Sequence, residues 1–131
     1  MSTTYEIKTP IFQGPFGLLL DLVEKRKLFI NDLSLASVTD DYLRYVSELS
    51  RLGEKLNHSE VSSFIAVAAT LILIKSKSLL PNLSLSGEEE SDIKNLEERL
   101  RLYQEFCRLA DHVKSKFGQK IICITNIIYY S

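Results

Sequence analysis

Ser91-Asp92-Ile93-Lys94 places a lysine three residues after a serine. In some acyl enzymes that spacing lets an amine deprotonate a nucleophilic hydroxyl. One such tetrad arises by chance in a chain rich in both residues, and the companion motifs are missing. The serine is better read as the N-cap of a following helix. His58, His112, Cys107 and Cys123 are all the histidines and cysteines of the chain. Their spacings match no zinc pattern, and Cys107 falls on an apolar helical seam, where a free cysteine is commonly a small hydrophobe. His112 is expected on the exposed side of the same helix. Glu88, Glu89 and Glu90 are adjacent, which reads as solvating charge rather than an acid/base pair. There is no glycine-rich phosphate loop. Lys75 and Lys77 oppose the dipole of the helix they close; contact with a phosphate is the sharper alternative. With no nucleophile–base pair, metal set or cofactor motif, the residues point away from an enzyme.

The elements carrying these residues are short on polarity. Phe64 to Ile74 is an unbroken low-polarity run of 11 residues, against roughly 20 for a bilayer-spanning helix. It therefore reads as a protein-covered helix with no membrane involved. Charge nearly cancels over the 131 residues, with 16 basic and 17 acidic side chains. Autonomous DNA binding usually needs a basic excess or stripe, and the densest clusters here are Lys25-Arg26-Lys27 and Lys75/Lys77. The N-terminus has no apolar signal region, and two cysteines without a framework suit a reduced, cytosolic protein.

Periodicity predicts an all-α chain. Pro15 suits the first position of a helix over about 15–27. Ser37 to Asp40 fits a capping box before a second helix, about 38–52, ending near Gly53. Asn57 to Glu60 offers another N-cap for a third helix, about 59–80, which is apolar almost all round and so must be covered almost all round. Pro81 to Ser91 reads as an acidic Ser/Gly linker. A heptad-like seam from Ile93 through Leu96, Leu100, Tyr103 and Cys107 to Phe117 predicts a fourth helix, about 92–117. Beyond the linker, that helix need not pack on the other three. Residues 119–131 read as an extended, strand-like tail. The expected domains are 1–80, the linker 81–91, a central helix 92–118 and the tail.

Three blocks resemble the bacterial kleisins, the segregation and condensation protein A family. The first runs from Phe12, Gly14 and Pro15 through Leu18 to Leu20, then Ile30, Asp32 and Leu33, to Thr39, Tyr42 and Leu43. The second is AATLILIKSKSLLP, with Ala68, Ala69, Leu71, Ile74, Lys75, Ser76, Lys77, Leu79, Leu80 and Pro81 matching. The third, LEERLRLYQEFCRLADHV, matches at Leu96, Glu97, Leu100, Tyr103, Phe106 and Ala110. The resemblance covers about residues 5–118. The tail departs from it, and the family's C-terminal winged-helix domain is expected to be absent.

The resemblance implies a non-catalytic bridge in chromosome condensation and segregation, cytoplasmic and nucleoid-associated. Its partners would be the coiled-coil neck of a structural-maintenance-of-chromosomes (SMC) ATPase and a dimer of segregation and condensation protein B. DNA would be engaged only through the complex. Helical angles assign Val67, Leu71, Ile74 and Ser78 to the neck. They assign Leu96, Leu100, Tyr103, Phe106, Cys107 and Ala110 to protein B. The competing reading is a small helical DNA-binding regulator, weakened by a third helix without the Arg, Asn or Gln row that reads base edges.

Overall fold

The computed structural model describes residues 2–51 and 57–117, with side chains over 14–51 and 57–116. Among the described residues there are four helices and no strand. They are α1 (Ser2–Lys25), α2 (Asp32–Arg51), α3 (His58–Leu79) and α4 (Gly87–Phe117). The expected strand-like tail, Cys123 and the expected helix end at Gly53 lie outside the described residues.

Local chemistry sets most of the helix ends. Gly14 interrupts α1 at φ 72°, ψ −170°, a conformation essentially reserved for glycine. Helical backbone precedes that kink, so the helix expected to begin at Pro15 is the second limb of a longer element. At the other end Lys27 takes a left-handed φ of 57°. Its amide donates to the Glu24 carbonyl and that of Leu28 to Val23, closing the helix as a Schellman motif.

The cap of α2 corrects the reading at Ser37. Asn31 Oδ1 accepts from the Ser34 amide at 2.9 Å, six residues earlier than expected, while the Ser37 hydroxyl donates to the Ser34 carbonyl inside the helix. The cap of α3 is the expected one. Asn57 Oδ1 accepts from the Glu60 amide at 2.8 Å, and the Asn57 amide donates to Glu60 Oε1 at 3.3 Å.

The linker is also shorter than expected. Ser86 Oγ accepts from the Glu89 amide at 3.1 Å, and the Ser86 amide donates to Glu89 Oε1 at 2.9 Å. That capping box starts α4 at Gly87, so the three glutamates form its first turn, where acids favourably meet the helix dipole. Ser91 is therefore inside the helix and caps nothing.

The core is one cluster drawn from all four helices. Leu19 and Val23 of α1, Leu35 and Tyr42 of α2, and Leu71 and Ile74 of α3 form its centre. α2 and α3 run antiparallel: Tyr42 Oη donates to the Phe64 carbonyl at 2.9 Å, while Lys77 meets Asp32 at 3.8 Å near the opposite ends. Thr39, buried between them, donates to the Leu35 carbonyl at 2.7 Å and satisfies itself within α2.

α4 is part of this core, which corrects the expectation of a free helix. Ile93, Leu96 and Leu100 are buried in the shared cluster. Arg101 donates to the Ile30 carbonyl at 2.9 Å, Gln104 to Glu24 at 3.2 Å, and the Arg99 guanidinium lies 4.9 Å above the Phe16 ring. The N-terminal half of the seam read from the sequence is spent on the chain's own helices.

Candidate functional site

α3 positions the first surface. At 3.6 residues per turn, Phe64, Val67, Ala68, Leu71 and Ile74 form one broad stripe, and all five are buried. Ile65, Ala69, Ile72 and Leu79 form a second stripe, about a third of a turn round the helix from the first, and are exposed, Ile72 by 48% and Leu79 by 67%. Their steps, with Ser76 between, are four, three, four and three residues. That alternation holds a row of side chains on one line against a second helix. Leu83, beyond the helix end, is also exposed.

Three of the four α3 residues assigned to a partner by helical angle are therefore core residues: Val67, Leu71 and Ile74. Ser78 is exposed. Because α3 is apolar on both sides, angle alone could not say which side its own bundle takes. By length and composition alone α3 could also cross a membrane, contrary to the reading of its 11-residue run. Its buried stripe, its capping box and its ion pairs to α2 account for it as a bundle helix.

The two lysines of the KSK segment are held, not free. Lys75 Nζ sits 2.6 Å from Asp40 and Lys77 Nζ 3.8 Å from Asp32. The Lys75 hydrogen bond and charge hold the Asp40 carboxyl below its ordinary value. Both pairs are largely solvated, so each is a modest contributor to stability. Their geometric effect is to tie the C-terminal half of α3 to α2. Sequence reading missed this role because Asp32 and Asp40 lie 45 and 35 positions away in the chain.

α4 carries the second surface. Tyr103 and Cys107 are half-buried against the core, with Tyr103 6.4 Å from the Phe16 ring. Phe106 and Ala110 are also half-buried. Leu96 and Leu100 are fully taken up by the core, so of the six residues expected to face a second partner, these two are inaccessible in this arrangement. On the other side Leu102 and Leu109 are exposed by 69% and 60%. With Phe106 and Val113 they again step by four, three and four. His112 is exposed, as expected. No group of three His, Cys, Asp or Glu residues arranged for a metal occurs among the described residues.

Both surfaces are thus apolar helical lines, suited to helix packing and not to bond-making chemistry. The matching family model is that of segregation and condensation protein ScpA, over residues 22–122. Segregation and condensation protein A of Clostridium botulinum (strain Alaska E43) is 40% identical over 113 residues, 85% of this chain and 43% of that protein. Its counterpart in Clostridium acetobutylicum is 40% identical over 116 residues, 86% of this chain and 45% of the relative. That of Halothermothrix orenii is 36% identical over 107 residues, covering 82% and 42%. The chain spans less than half the length of these relatives. No solved structure matches.

Proposed function

The chain belongs to the segregation and condensation protein A family, and from that premise we propose that it is a non-catalytic bridging subunit of an SMC-type condensin. It would join the coiled-coil neck of the SMC ATPase to a dimer of segregation and condensation protein B, in the cytoplasm at the nucleoid. The observation that carries this reading is the exposed α3 line of Ile65, Ala69, Ile72 and Leu79. It has the heptad spacing of a coiled-coil contact and lies on the segment where the family resemblance is densest.

The neck contact moves accordingly from Val67, Leu71 and Ile74 to this outer line, with Ser78 at its edge. These buried side chains hold the bundle together and cannot serve two surfaces at once. For protein B, the supported surface is the distal half of α4: Leu102, Phe106, Leu109 and Val113, flanked by Tyr103, Cys107 and Ala110. Leu96 and Leu100 support it from the core. Burial of such lines gives association mostly through the hydrophobic effect, and needs no cofactor.

The test is size-exclusion chromatography with light scattering on this chain mixed with the SMC head–neck fragment and protein B of the same organism. One neck and two B subunits per chain are expected. A monomer that ignores both partners contradicts the proposal. A strong low-salt gel shift of DNA by the chain alone would instead favour a DNA-binding regulator.

A further inference from the structure

Gly14 and Pro15 stand in the first of the three resemblance blocks, yet neither surface described above uses them. Their consequence is the placement of Phe16. Gly14 breaks α1 at φ 72°, and Pro15, which has no amide to satisfy, suits the start of the limb that follows. Phe16 then opens the stripe that continues through Leu19, Leu20 and Val23. Those three are buried in the core, while Phe16 is half-buried at its edge.

α4 is what covers this ring. The Arg99 guanidinium lies 4.9 Å from the Phe16 centroid, and the Tyr103 ring 6.4 Å away at an interplanar angle of 33°. Arg99 and Tyr103 are four residues apart and share a face of α4, so Phe16 meets two successive turns of that helix. Gln104 reaches Glu24, and Arg101 reaches the Ile30 carbonyl. The Gln104 contact is exposed and competes with water. The Phe16 contact removes aromatic surface from water and adds a ring–cation attraction.

Its position along α4 gives this contact its consequence. Ile93, Leu96 and Leu100 are buried before or within it. Tyr103 and Cys107 are the last α4 residues packed against the core among those described, whereas Leu109 is exposed. Phe16 thus grips α4 where the helix passes from the core to its distal surface. From Gln104 to Phe117 there are 14 residues, and an isolated helix of about 12–15 residues is marginal in water. Order in that half depends on being continued from a held turn.

We propose that Phe16, set in place by the Gly14 break, is a positioning residue for the distal surface of α4. Its grip on Arg99 and Tyr103 keeps that surface helical and preset for protein B. This rests on the protein B reading above. Phe16 acts through α4, by lowering the ordering cost that binding would otherwise carry.

The test combines amide hydrogen exchange with titration calorimetry against protein B, on the full chain and on Phe16→Ala, Phe16→Tyr and Arg99→Gln. Titration with the SMC head–neck fragment is the control. Phe16→Ala is expected to speed exchange across residues 104–113 while α2 and α3 keep their protection, and to weaken protein B binding about 10-fold with neck binding unchanged. Phe16→Tyr keeps the ring and should behave as the unaltered chain. Arg99→Gln, at an exposed site, should give a smaller loss of the same kind, about 2–5-fold. Loss of protection throughout Phe16→Ala makes Phe16 a general core residue and overturns the proposal. Unchanged exchange with normal protein B binding overturns it and leaves the protein B reading standing. Tighter protein B binding by Phe16→Ala overturns it by showing that docking of α4 opposes the partner. No protein B binding by the unaltered chain overturns the protein B reading and this proposal with it.

Discussion

Tyr42 lies wholly inside the bundle, and its hydroxyl donates to the Phe64 carbonyl across the α2–α3 contact. Burial pushes that hydroxyl far above the ordinary tyrosine range, so it stays a neutral donor throughout the working pH range. Tyr42→Phe keeps the ring and removes the bond, and is expected to lower stability by about 0.5–1.5 kcal/mol in urea unfolding. Leu71→Ala, in the same contact, should cost about 2–5 kcal/mol, because it opens a cavity at the centre of the core. Asp40 makes a pH prediction. Its carboxyl is held below the ordinary 3.8 chiefly by the Lys75 hydrogen bond, then by that lysine's charge. A carboxyl depressed on folding stabilises the protein above its unfolded value, and that contribution disappears as pH falls through the folded value. Unfolding midpoints measured from pH 6 downward should therefore show a small loss below about pH 4 that Asp40→Asn removes. The effect is small because the side chain is largely in water.

At the scale of elements, α4 separates two kinds of apolar residue that look alike in a one-dimensional pattern. Leu100 is fully buried by the chain itself, and Leu109 is exposed. Leu100→Ala should lower stability by about 2–5 kcal/mol. Leu109→Glu should change it by no more than about 0.5 kcal/mol while weakening protein B binding, read by chemical denaturation and a pull-down on the same samples. Leu100→Glu would be a folding defect and reports nothing about a partner. Helix existence was legible from Pro15 onward because the three-to-four-residue spacing is strong there, but the limb of α1 before Gly14 was not read as helix; the Asn57–Glu60 box was legible because it is local. The start of α4 was misread because Ser86-Gly-Glu-Glu looks like a polar linker until its serine and third-following glutamate are recognised as a cap. Which face the bundle itself covers was not legible, for a different reason. Which side of an oily helix is covered depends on where α1 and α2 lie in space, and no periodicity within α3 carries that information. Gly14 adds an element-scale prediction: Gly14→Ala should cost about 1–3 kcal/mol in thermal melts, because its backbone geometry is closed to other residues.

Over the whole molecule, the two candidate surfaces sit on one packed body. A 31-residue α4 is roughly 46 Å long; its first half is locked into the core and its second half carries the line proposed for protein B. The expected flexible linker is reduced to a few residues, so the α3 and α4 surfaces are set at a fixed relation within this part of the chain. In the bridge proposed above, such a body would transmit position from one partner to the other. The claim on which this rests is that the exposed side of α3 is a binding surface and the buried side is not. Titration of the SMC head–neck fragment with the unaltered chain and with Ile72→Glu tests it most directly, with circular dichroism confirming that both are folded. Saturable one-to-one binding by the first and none by the second is the predicted result. Equal binding by both, with folding intact, would contradict the account.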